Sequence, residues 1–116
     1  MRTLKEKLAE IEAKAKKIEY ELSDGCVFTI RHNNITKKWG INCRYPEEHY
    51  TIAWPNDETF KTVDAVVDYI FNYEMGCIKS YIEYLEEFSP DDIVVKIDPD
   101  YVRNTVIDKL NVVEWR

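Results

Sequence analysis

Glycine, proline, histidine and cysteine are all scarce in this sequence of 116 residues, which has three glycines, four prolines, two histidines and three cysteines. The P-loop and the dinucleotide-binding fingerprint need glycines at fixed spacing, and neither pattern occurs. Serines are equally few, and none lies in a Gly-x-Ser-x-Gly motif. These absences predict that the protein is not an enzyme. A small enzyme stays open as an alternative, because an acid–base pair leaves no local signature.

The sequence also lacks a membrane segment and a disulfide framework. No apolar run approaches the ~20 residues that cross a bilayer, and the N-terminus alternates charged and apolar residues instead of forming a signal-peptide core. Cys26, Cys43 and Cys77 are odd in number and widely spaced, which is typical of buried reduced thiols inside a cell. The sequence therefore predicts a cytoplasmic protein without a membrane partner.

Both histidines lie within a cysteine-containing stretch, so a zinc site has to be considered. The spacing of Cys26, His32, Cys43 and His49 lacks the close Cys-x2-Cys pairs of zinc motifs. If the stretch forms antiparallel strands, the two histidines lie at opposite ends of the sheet, ~20 Å apart. The sequence thus predicts no metal site and no cofactor. Whether Cys26, Cys43 and His49 approach one another stays open.

Composition predicts a folded chain with an uneven distribution of charge. Hydrophobic residues make up 45% and charged residues 33%, and the length suits a single domain, residues 1–116. Residues 1–56 carry a net charge of +2, whereas residues 57–116 carry −8. An electrostatic partner of the second half is therefore expected to be basic, and direct binding to nucleic acid is not expected.

The first predicted element is a helix over residues 3–22. Thr3 and Glu6 have the spacing of a capping box, and apolar residues follow at steps of three and four. Those steps also fit a coiled-coil seam, so the helix could either pack on its own sheet or pair with a second copy. The seam of such a homodimer would consist of Leu4, Leu8, Ile11 and Ile18.

A three-stranded antiparallel meander is predicted next, because apolar and polar residues alternate with a period of two. Turn signals at Asn33-Asn34 and at residues 45–48 separate its strands. The predicted buried residues are Cys26, Phe28 and Ile30 in the first strand, Trp39, Ile41, Cys43 and Tyr45 in the second, and Tyr50, Ile52 and Trp54 in the third.

A long helix then runs from Thr62, the expected N-cap, to Phe88, with a kink or break at Gly76. Residues 93–97 favour a strand, although the preceding residues also fit a helix start. The Asp98-Pro99-Asp100 sequence starts a further helix that runs to about residue 110, and residues 112–115 could form a last strand. The predicted fold is α+β: an N-terminal helix, the meander, the long kinked helix and an acidic C-terminal strand/helix extension.

The long helix and its continuation supply the candidate binding site. Carboxylates and tyrosines cluster there, and tyrosine is enriched in interface hot spots while clustered carboxylates speed encounter with a basic surface. The alternative is a solvated helix face with half-buried tyrosines. The candidate partner-binding residues are Tyr69, Tyr73, Glu83, Tyr84, Glu86, Glu87, Asp91 and Asp92.

A secondary basic patch is expected on the polar face of the meander, where Arg31, Lys38 and Arg44 project. Such a patch could contact phosphate or an acidic partner. It could equally be an ordinary solvated sheet face that resists edge aggregation.

The order of a helix, three strands and a helix matches a double-stranded-RNA-binding domain, but the residues before the second helix are acidic where such domains grip phosphates with lysines. In element order and charge over residues 1–88, the chain resembles the small acidic inhibitors that phages carry against host defences, including anti-CRISPR proteins, and bacterial toxin-immunity proteins. The resemblance implies a small module that inhibits a basic, nucleic-acid-binding protein. A coiled-coil assembly protein is a further alternative.

Overall fold

The computed structural model of the protein describes residues 3–22, 25–45, 50–53, 60–88 and 97–116. The predicted α+β class is confirmed, with an N-terminal helix, a three-stranded antiparallel meander, a long helix and a C-terminal helix and strand, and with one strand, β1 (Ala15–Glu21), that the sequence did not predict. The elements are α1 (Leu4–Lys14), β1 (Ala15–Glu21), β2 (Val27–His32), β3 (Trp39–Tyr45), β4 (Tyr50–Ala53), α2 (Val63–Phe88), α3 (Pro99–Lys109) and β5 (Asn111–Trp115).

The predicted meander, β2–β3–β4, forms the larger part of an antiparallel sheet with the strand order β4-β3-β2-β1-β5. Phe28 pairs with Cys43 and Ile30 pairs with Ile41, so the apolar residues predicted for one face share that face. On the other side of the meander, β1 pairs with β2, and the C-terminal β5 pairs with β1. The described sheet is therefore two strands wider than the meander alone.

The prediction of one helix over residues 3–22 is wrong in its second half. Thr3 caps α1 as expected, with its hydroxyl accepting from the Glu6 N–H at 3.1 Å. The helix ends at Lys14, and the chain continues as β1. The reason is that residues 17–22 alternate polar and apolar side chains, and an extended strand aligns Ile18 with Ile30 and Tyr20 with Phe28.

The hydrophobic core lies between one face of this sheet and the three helices. Ile30 and Ile41 at the centre of the sheet are fully buried, and they belong to one core cluster with apolar residues of α1, α2 and α3. The buried residues of the helices are Ile11 in α1, Val63, Val66, Val67 and Ile70 in α2, and Val106 and Ile107 in α3. No described element covers the opposite, polar face of the sheet.

Polar contacts hold the helices beside one another. The Lys7 ammonium on α1 donates to the Asp108 carbonyl of α3 at 2.6 Å. Arg103 on α3 forms ion pairs with Asp64 and Asp68 on α2. These contacts are largely exposed, so they orient the helices more than they stabilise them.

The N-terminus of α2 is capped by two side chains. The Thr62 hydroxyl accepts from the Ala65 N–H at 3.2 Å, which confirms the predicted N-cap, and the Glu12 carboxylate of α1 accepts from the Val63 N–H at 3.0 Å. A carboxylate at this position also faces the positive end of the helix macrodipole.

We expect Glu12→Ala to lower the free energy of unfolding by about 1 kcal/mol, because the Val63 N–H then loses its acceptor. Glu12→Gln is the matched control, since its amide oxygen can still accept that bond. Urea unfolding of both variants measures the difference. Equal losses in the two variants would contradict a capping role.

Two other local predictions can be compared with the structure. The turn at Asn33 is confirmed, and its Oδ1 accepts from the N–H groups of Ile35 and Thr36 at 2.8 and 3.1 Å. The positive φ angle of this connection is at Lys37, 62°. Gly76 does not divide α2, which is continuous through it.

The C-terminal elements follow the predicted pattern. Asp98 caps α3 through its Oδ1, which accepts from the N–H groups of Asp100 and Tyr101, and β5 is the predicted last strand. The strand prediction for residues 93–97 falls almost wholly outside the described residues. Within the described part of the chain, no helix combines the length and the apolar content needed to cross a membrane.

Candidate functional site

The long helix α2 has two halves with different environments. Its 26 residues rise about 39 Å, whereas a strand of seven residues rises about 23 Å. The sheet therefore supports only part of the helix. The N-terminal half packs on the sheet through Val63, Val66, Val67 and Ile70. From residue 71 to residue 87, no side chain is buried.

Residues 74–88 are here called the α2 C-terminal segment. Ile78, Ile82 and Leu85 are half-buried and lie along one side of it, because positions four and seven residues apart share a helix face. Tyr81 and Tyr84 flank this stripe and are 63% and 57% exposed. The segment thus presents aromatic rings to solvent beside an incompletely covered apolar stripe.

Exposed carboxylates occupy another side of the same segment. Glu83 and Glu87 are four residues apart, so their like charges repel along the helix. Glu86 and Glu87 lie in the last turn, which contains no basic residue, and there the macrodipole already concentrates negative charge. Each such carboxylate destabilises the helix end by a few tenths of a kcal/mol or more.

The other two described helices have charges that suit the macrodipole. α1 has Glu6 in its first turn and Lys14 in its last, and α3 has Asp100 in its first turn and Lys109 in its last. Their charges complement the macrodipole at both ends. The carboxylates at the end of α2 are therefore an exception among the described helices, and folding alone does not account for them.

Tyr69 and Tyr73, which the sequence places in the same binding site, lie in the other half of α2. Tyr69 packs near Phe28 and Phe60, with ring centroids at 6.2 and 5.6 Å, and Tyr73 lies edge-on to Phe28 at 5.6 Å. Burial raises the pKa of Tyr69. Both rings are half-buried against the core.

The remaining predicted residues divide into two groups. Glu83, Tyr84, Glu86 and Glu87 are exposed together on the α2 C-terminal segment. Asp91 and Asp92 lie outside the described residues. Sequence reasoning did not include Tyr81, the most exposed tyrosine of the segment, although its spacing from Tyr84 and Leu85 places it on the same face.

The residues of the secondary basic patch, Arg31, Lys38 and Arg44, are all exposed. Arg31 pairs with Gly40 and Arg44 pairs with Val27, so these two arginines sit at opposite ends of the β2–β3 pair. The nearest cross-strand neighbour of Arg31 on the other side is Lys17 of β1. The predicted patch is therefore divided along the sheet. Arg31 lies beside Lys17, which the predicted helix over residues 3–22 would have placed elsewhere.

The cysteines and His32 do not converge on an ion in the described residues. Cys26 and Cys43 are buried as predicted, whereas the prediction of a buried thiol is wrong for Cys77, which is exposed, and none of these three described thiols is in a disulfide. His32 packs edge-on to Trp39 at 4.8 Å, and its Nδ1 lies 3.1 Å from the Asn34 Oδ1. No group of three potential metal ligands occurs among the described residues. His49 lies outside them.

The proposed coiled-coil seam is not formed by one helix, because Ile18 lies on β1. Ile11 and Ile18 are at most 1% exposed within a single copy, and Leu4 and Leu8 pack partly against the same core. Self-association itself remains a prediction.

Comparison with known proteins gives no relative from which a function could be transferred. No protein-family model matches the chain, and neither the curated proteins nor the solved structures contain a significant match.

Proposed function

We propose that the protein is a binding module that docks a basic protein partner through the α2 C-terminal segment. The observation that carries the proposal is the unfavourable charge of that segment: carboxylates crowd the helix end where the macrodipole disfavours them, beside two exposed tyrosines. A positively charged surface would offset both the dipole and the mutual repulsion. Tyr81 and Tyr84 would supply rigid contact area at low entropic cost.

An inhibitor that covers the nucleic-acid-binding groove of its target is the form of this function that fits the charge best. Such grooves are lined by lysine and arginine to hold phosphates. A helix with exposed carboxylates beside exposed aromatic rings can bind in the same groove, because its carboxylates take the place of the phosphates. This role is the one expected of the phage anti-defence proteins that the chain resembles in layout.

We expect the triple variant Glu83→Lys, Glu86→Lys and Glu87→Lys to bind the partner about 10- to 100-fold more weakly, because charge complementarity becomes repulsion. The partner is first isolated from an extract of the cells that carry the protein, and its affinity for each variant is then measured by calorimetry. For wild type, affinity should fall between about 50 mM and about 500 mM salt, as screening shortens the range of the field.

A control variant separates this site from the overall charge. Glu21→Lys, Asp108→Lys and Glu114→Lys make the same change in net charge at exposed positions outside α2. This variant should retain most of the affinity. The segment variant should also unfold at an equal or higher temperature than wild type, because lysines suit a helix C-terminus. A partner that binds both triple variants equally would refute the site.

A further inference from the structure

A shallow cavity opens at one end of the sheet, where β1, β2 and β5 lie side by side. Its volume is about 290 Å³, and it is lined by Lys16, Lys17, Arg31, His32 and Glu114. Lys17 is the cross-strand partner of both Arg31 on β2 and Glu114 on β5. Directly opposed side chains in such pairs are about 5 Å apart at Cβ, so the three share one concave site.

An irregularity in the pairing of β1 with β5 brings a further lysine to the cavity. The register shifts between Ala15 and Lys17 and again between Lys17 and Ile18. In a regular strand, Lys16 and Lys17 would point to opposite faces, but a bulge changes the direction of a side chain locally. Both lysines consequently line the same cavity.

The residues that line the cavity carry a net positive charge. Two lysines and one arginine line it against one carboxylate, and no carboxylate of the described residues comes within 4.0 Å of the side-chain nitrogens of Lys16, Lys17 or Arg31. His32 also lines the cavity, and its pKa is lowered mainly by burial and then by Arg116, whereas the hydrogen bond with Asn34 and the Glu12 carboxylate act in the opposite direction. At physiological salt the Debye length is about 8 Å, so the distant acids of this acidic protein do not cancel the local field.

We propose that this cavity binds a small phosphate dianion, free or as a phosphomonoester. Arginine presents a planar fork of N–H donors that matches two phosphate oxygens, and lysines add point charges. The cavity has a volume just below the range for small-molecule sites, which suits one phosphate group with a small substituent. Glu114 limits the affinity by repelling the dianion. The site uses no residue of the α2 C-terminal segment and does not depend on the proposed function.

The test is an NMR titration of the ¹⁵N-labelled protein with inorganic phosphate at constant ionic strength. We expect saturable shifts at the amides of the cavity residues and a dissociation constant of about 1 mM. The double variant Lys17→Gln and Arg31→Gln should weaken binding by about tenfold or more. The control Lys38→Gln and Arg44→Gln removes the same charge from exposed positions outside the cavity and should change the constant less than about twofold.

The Glu114→Gln variant should bind phosphate about two- to fivefold more tightly, because the repelling carboxylate is gone. A purely structural role of Glu114 would not give tighter binding. Parallel titrations with a phosphomonoester such as glycerol phosphate and with a short single-stranded oligonucleotide distinguish the sources of phosphate. Comparable affinity for inorganic phosphate and the monoester supports the proposal. Shifts that do not saturate, equal losses in both double variants, or much tighter binding of the oligonucleotide would overturn it.

Discussion

Replacing Trp39 by alanine is expected to lower the free energy of unfolding by about 3–5 kcal/mol, a large part of the 5–15 kcal/mol typical of a domain. Trp39 is 1% exposed, and its backbone N–H and carbonyl both pair with Phe60. His32 packs edge-on to its ring, and the Arg116 guanidinium lies 5.9 Å from the ring centroid. The substitution would leave a cavity where the sheet, the approach to α2 and the C-terminus meet.

Urea unfolding followed by circular dichroism measures the effect without depending on tryptophan fluorescence. Ile35→Ala is the control, because Ile35 is 92% exposed and its truncation should change the free energy of unfolding by less than about 0.5 kcal/mol. A Trp39→Ala variant as stable as the Ile35→Ala variant would show that Trp39 is not part of the core.

Raising the pH above about 10 is expected to destabilise the protein through Tyr20. Burial raises the pKa of Tyr20 above its ordinary value of 10.0, and the nearby Glu74 carboxylate raises the pKa further. In the unfolded chain this phenol loses its proton near pH 10, whereas in the folded chain it keeps it. The contribution of Tyr20 to stability is therefore complete below pH 10 and is lost as the pH rises towards the folded pKa, by about 1.4 kcal/mol per pH unit.

The measurement is the free energy of unfolding in urea at several pH values between about 9 and about 11.5, compared with Tyr20→Phe. The phenylalanine keeps the ring that is 1% exposed and packs beside Lys109, but it has no proton to release. As the pH rises, the free energy of unfolding of Tyr20→Phe should fall less steeply than that of wild type, by up to about 1.4 kcal/mol per pH unit. Tyr101→Phe, at a ring that is 71% exposed, is the matched control for removal of a tyrosine hydroxyl. Identical slopes for wild type and Tyr20→Phe would contradict the prediction.

The sequence predicts most of the elements because each has a single clear periodicity, as in the alternating strands β2 and β3. Residues 15–22 are the exception, since Ala15, Ile18 and Leu22 also recur at helical steps. Tertiary contacts decide between helix and strand. Ile18 and Tyr20 pair with residues of β2, and β5, from the far end of the chain, pairs with the other edge of β1. The alternation of Lys17, Glu19 and Glu21 with apolar residues was the available sign of a strand.

Tertiary packing also decides how much of the two candidate sites could be predicted. The exposed carboxylates of α2 are evident from composition, but the sequence does not say where the sheet stops supporting the helix. Tyr69 and Tyr73 consequently look equivalent to Tyr81 and Tyr84 until the packing of Phe28 and Phe60 distinguishes them. The phosphate cavity requires Lys17 and Arg31 to be neighbours, and a helical reading of β1 conceals that.

The pairing of β1 with β5 has a consequence for biosynthesis. Arg116 donates from its backbone to Lys14 and from its guanidinium to the carbonyls of Ala15 and Glu12, contacts that join residues about one hundred positions apart. A nascent chain therefore has β1 as an open edge until residues 111–116 have been synthesised. During that interval the edge can pair with other chains, so we expect the yield of folded protein to depend on the speed of translation and on access to chaperones.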